Sequence, residues 1–198
     1  AKSPLLAFSA AAALSRTLRP GSGPRVLAFL KDPKLSHTVK QALLTHWAKR
    51  GPEPAIRSEL KPWLHSALGD EVMNIRYLSI QVLAWYPLED RLAAVLDLLT
   101  HETNPEVVRM SYRQFLKGLG RDPLPLARAV ESHPKRDALI GHMVRILTEQ
   151  SWEEAKVLEL LHILHRKPLD LLARNPEAFF AVCIHLLERG GVTLEKVW

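Results

Sequence analysis

Glu159, His162 and His165 stand three apart, so a helix would carry them on adjoining turns of one face. Carboxylate and imidazole at that spacing can ligate a divalent metal in a helical bundle when a second helix brings a matching set. His133 and His142 are the candidates for that set within reach by sequence. Helical histidines flanked by leucines are more often packing residues, and this reading carries the greater weight, so no metal and no cofactor are expected. Nucleophilic chemistry finds no support. The chain has no nucleophile elbow, no catalytic-cysteine signature and no histidine–glutamate zinc motif. Gly21-Ser22-Gly23 is too short for a phosphate loop and follows no strand pattern, which leaves an interhelical turn. These residue types point away from an enzyme.

The second group is cationic. Lys31, Lys34, Lys40, Lys49, Arg50, Arg57 and Lys61 belong to consecutive predicted helices and turns. Aligned on one ridge, they would track phosphates with a steep salt dependence, or face an acidic protein surface equally well. Trp47 and Trp63 lie among them and could stack bases, although their apolar helical positions favour the core. Through Gly69 there are 11 Lys+Arg against 3 Asp+Glu, and beyond it 16 against 18. The basic first third therefore predicts an acidic partner at that end, with a solvated rim as the alternative.

Helices must position all of these groups. Start and stop signals predict helices from Pro4 to Leu18, from Pro24 to Lys31, and from Ser36 to Gly51, with Ser36 as a cap. Further helices are predicted over 53–69, 71–86, 88–101 and 105–119. Asn104-Pro105-Glu106 supplies a cap, a first-turn proline and an acid that complements the helix dipole. Beyond Gly120 the pattern predicts 122–132, 134–150, 151–166 with a capping box at Ser151–Glu154, and a helix from Asn175-Pro176-Glu177 to Gly190. A last partial helix follows Thr193. No segment has a strand pattern, so an all-α fold is expected.

The 198 residues suffice for one domain with a core, and no apolar run is long enough to span a membrane. The lone Cys183 lies in an apolar run, reads as a buried small hydrophobe, and fits a reducing compartment. The expected location is intracellular, cytoplasmic or nuclear. The acid-free residues 1–31 keep organelle import open, but a terminal helix capping the stack is the preferred reading. An initial alanine agrees with a segment of a larger protein.

Val39-Lys40, Ile75-Arg76 and Val108-Arg109 each precede apolar residues on one helical face, with steps of 36 and 33 between the basic residues. Such pairs, with Asn104-Pro105-Glu106 before the third, resemble HEAT-repeat proteins and the similar armadillo class. The resemblance covers about Pro24 to Leu119. It departs from the pattern in having Lys40 in place of arginine and no aspartate in the turns. It implies a right-handed superhelical α-solenoid of antiparallel helix pairs, about five to six of them. As one domain over 1–198 this would comprise a capping helix to 23, regular repeats over 24–120 and less regular ones over 121–198. Lys40, Arg76 and Arg109 would form a structural ladder between turns.

Absent catalytic signatures and repeat architecture favour a non-enzymatic scaffold that binds an acidic protein partner. Nucleic-acid binding through the basic ridge is the alternative. DNA-alkylation-repeat glycosylases also stack helix pairs. A chain resembling them would need an exposed aspartate among tryptophans, for which Asp90 near Trp85 is the nearest candidate.

Overall fold

The computed structural model describes residues 9, 13, 23–32, 34–119, 124–149, 161, 164 and 169–188. Among them the regular structure is helical throughout, without a strand, as the periodicity requires. The chain divides into two compact units, Ala1–Leu98 with Glu102–Gln114, and Leu99–His101 with Phe115–Trp198. Of the predicted helices over 4–18 and 151–166 only residues 9, 13, 161 and 164 are described, each in helix, and the last partial helix lies outside the described residues.

The first unit holds α1 (Gly23–Leu30), α2 (His37–Arg50), a 3-10 turn (Pro54–Ile56), α3 (Arg57–Ala67), α4 (Met73–Leu83), and most of α5 (Leu88–Leu99) and α6 (Pro105–Leu119). Local chemistry sets the boundaries. Asn104 Oδ1 accepts from the N–H groups of Glu106 and Val107 at 3.0 and 3.3 Å, so α6 starts as expected. Gly51 ends α2 at φ +76°, its N–H bonded to Trp47 O at 2.8 Å. Ser36 makes no side-chain cap, and its carbonyl instead accepts from Val39 and Lys40. The predicted helix over 53–69 is split, because its Pro54 start winds as a 3-10 turn before α3 begins.

Leu43, Leu44 and Trp47 of α2, Leu60 and Leu64 of α3, and Ile75, Ile80 and Leu83 of α4 are buried at helical spacing. Contacts fix the helix directions. His37 at the start of α2 lies 3.9 Å from Glu71 just before α4, while Trp85 just after α4 reaches Ala48 near the end of α2. Helices α2 and α4 therefore run parallel. The Tyr86 hydroxyl donates to Arg57 O at 3.0 Å, which sets the start of α3 beside the end of α4 and makes that pair antiparallel.

The second unit holds α7 (Leu124–Glu131), α8 (Arg136–Glu149), α9 (Leu171–Arg174) and α10 (Pro176–Glu188). Leu126 and Val130, Leu139, Met143 and Leu147, and Phe179, Val182 and Leu186 are buried within it. Cys183 is buried too. The short α9 has no signature in the sequence. It is set up by Asp170, a non-glycine residue at φ 43° whose carboxylate accepts from Ala173 N at 3.4 Å.

Candidate binding surface

The seven cationic residues differ in their environments. Lys31 and Lys34 are exposed around the end of α1, and the Lys34 N–H donates to Asp32 Oδ1 at 2.8 Å. Lys40 and Lys49 stand nine positions apart on α2, two and a half turns, and so project about 180° apart. Arg57 Nε donates to Pro52 O at 3.1 Å, and Lys61 Nζ is held by Asp90 Oδ1 at 2.6 Å. Lys49 and Arg50 remain exposed in the last turn of α2, where they also complement the helix dipole.

Beside them stands Trp85, 42% exposed. Its Nε1–H donates to Ala48 O at 3.1 Å, and its ring lies over Gly51, where a Cβ would fall 2.9 Å from Cδ2 and Cε3. A hydrogen bond and a backbone platform thus fix a large aromatic at the surface, one residue along from Lys49 and Arg50. Burial first, and then the charge of Arg50, hold the pKa of His46 below its ordinary value. Just after α4, burial pushes the Tyr86 phenol up to about 12. Sequence marks Gly51 as a helix stop and Trp85 as a neighbour of Asp90. The indole's two contacts belong to the tertiary packing of α4 on α2.

At the opposite ends of these helices lies a tighter network. Arg76 Nε and Nη2 donate to the two carboxylate oxygens of Glu102 at 2.6 and 3.1 Å, and Nη1 donates to Asp70 O and Glu71 O at 2.9 and 3.2 Å. Glu102 Oε1 also accepts from the backbone of Thr103 and Asn104 at 3.1 and 2.8 Å. The Glu102 side chain is 4% exposed and that of Arg76 17%. Burial pushes the Glu102 pKa up, but the Arg76 bonds and charge with the two backbone N–H groups outweigh it, so the net shift is downward. Arg109, the residue matching Arg76 one step on, donates to Glu106 Oε1 of its own helix at 3.0 Å.

Asp90, the aspartate considered for a glycosylase, has its carboxylate engaged by Lys61. Glu159, His162 and His165 lie outside the described residues, and among those described no group of three or more His, Cys, Asp or Glu could hold a metal ion. No helix among the described residues is long and apolar enough to cross a membrane. In the second unit α10 exposes Phe180, Ile184 and Leu187 at i, i+4 and i+7 on the side away from its buried face. No family model, curated protein or solved structure matches the chain.

Proposed function

We propose that the chain is a non-enzymatic helical-repeat scaffold, an α-solenoid of the HEAT-like kind, which binds an acidic protein partner at the α2–α4 end of its first unit. The immobilised Trp85 carries this reading. Exposed tryptophan beside arginine is the residue chemistry that dominates interface energetics, and an indole already held in place loses little freedom on binding. Lys49 and Arg50 beside it suit acidic side chains on the partner. The solenoid reading is supported by α2 and α4 running parallel with α3 antiparallel to α4 between them in the chain, the order that stacked helix pairs adopt.

Nucleic acid is the weaker alternative. Arg57 and Lys61 are bonded to Pro52 and Asp90, and Lys40 stands opposite Lys49, which interrupts a continuous phosphate track. The test is affinity capture and titration of the identified partner with the wild-type chain, Trp85→Ala, and Lys49→Glu/Arg50→Glu, alongside anisotropy with labelled duplex DNA, single-stranded DNA and RNA. An acidic protein bound by the wild type and lost by both variants is expected. Equal binding by the folded variants, or robust turnover by the purified chain, would overturn the reading. Salt-sensitive nucleic-acid binding that the charge reversal abolishes would install the alternative.

A further inference from the structure

The second unit carries a cleft of about 700 Å³, a size typical of small-molecule sites. Ile140 and Val144 of α8 line it with the fully buried Leu164 and Leu169, giving apolar walls and floor. Arg136, Asp137, Arg174 and Asn175, which are more exposed, supply its polar side.

Two features distinguish it from a surface irregularity. Gly141, within α8, faces this cleft, and a Cβ added there would meet no atom within 4 Å. Glycine weakens a helix interior, and here no neighbouring group requires the missing side chain. The position is open and exposed, so a larger side chain there has room to extend over the cleft. The second feature is the fixing of the polar side. Glu131 accepts two bonds from Arg174, at 3.0 and 2.9 Å, and one from Arg136 Nη1 at 3.3 Å. Arg136 Nε donates to Asp137 Oδ1 at 2.9 Å. These bonds orient Arg136 and leave its Nη2 outside all of them, so a guanidinium edge is ready for an incoming acceptor.

We infer that this cleft binds an elongated apolar monocarboxylate. The aliphatic chain lies along Ile140, Val144 and the two leucines, and the carboxylate takes hydrogen bonds from Arg136. A half-open cleft with aliphatic side chains on one side and an oriented guanidinium on the other meets both halves of such a ligand.

The experiment is calorimetric titration of the full chain with octanoate and, in parallel, with octanamide, which has the same chain and a neutral head. Octanoate binds saturably, one molecule per chain, and octanamide about tenfold more weakly, the loss expected for one charge-assisted hydrogen bond. Arg136→Gln costs octanoate a similar factor. Gly141→Leu fills the cleft from a helix-favouring position and abolishes binding. Intermolecular NOEs from the octanoate methyl group to the Ile140 and Val144 methyls in the wild-type chain locate the ligand whatever the variants' folding. Absence of saturable binding, equal affinity for the amide, unchanged binding in folded Gly141→Leu, or NOEs to other residues would each overturn the assignment.

Discussion

The indole of Trp85 rests on the Cα of Gly51, at a spacing that leaves no room for a side chain beneath it. Gly51 also holds φ 76° and ψ 153°, a combination that only glycine adopts without strain. Gly51→Ala is therefore expected to destabilise the chain by about 2 kcal/mol through backbone strain alone, with more from displacing the ring. Urea denaturation followed by circular dichroism measures the loss. A red shift of tryptophan emission before unfolding would report the displaced indole.

Lys49 and Arg50 separate stability from recognition. Each contributes through the dipole of α2 and the last helical turn, so reversing both to glutamate should cost about 1–2 kcal/mol and leave the fold intact. Partner affinity should fall much further, and its dependence on salt should flatten. Titrations at two ionic strengths, with thermal melts of the same samples, read both quantities.

Replacing Arg76 by methionine strands the Glu102 carboxylate in a buried site. A loss of about 3–5 kcal/mol is expected, with Glu102→Gln in the same chain recovering part of it. If Arg76→Met proved neutral in chemical denaturation, the network would be an ornament of the fold.

The same pair sets an acid limit. Glu102 titrates lower in the folded chain than unfolded, so its stabilisation is fully present above the unfolded pKa of about 4.3 and is lost as pH falls through the depressed folded value. Stability measured between pH 6 and pH 3 should decline, and Glu102→Gln should flatten that decline. A slope unchanged by the substitution would assign acid sensitivity elsewhere.

Gly141 offers the opposite sign. Its Cβ position is open, so Gly141→Ala gains helix propensity without a clash and should stabilise the chain by about 1 kcal/mol. A rise in the denaturant midpoint at constant slope is the expected result.

Helix starts with a local chemical cause are legible in the residues themselves. Asn104-Pro105 and Asn175-Pro176 begin α6 and α10 where the sequence predicts, because cap, proline and acid act within one turn. Trp47 is buried as its helical spacing implies. Arg76 is recognisable as a residue reaching a neighbouring turn, but Glu102 as its partner is not, since nothing within a helix's own period points 26 positions ahead. Whether the cations align on one ridge is not legible in the sequence for the same reason. Whether Lys61 is available depends on Asp90, which another helix delivers. The cleft is invisible in sequence because its walls come from separate segments, and glycine at 141 carries no meaning until the space around it is known.

The bonds that join these elements span a limited stretch of the chain: 26 positions for Arg76 and Glu102, 29 for Tyr86 and Arg57, 37 for Trp85 and Ala48, 43 for Arg174 and Glu131. The entropy of closing a loop grows only slowly with its length, so the 43-position contact costs little more than the 26-position one. A nascent chain wired in this way can begin to order once α2 to α4 have left the ribosome, ahead of the second unit's synthesis. The apolar face of α2 is then covered only when α4, two helices further on, has been made.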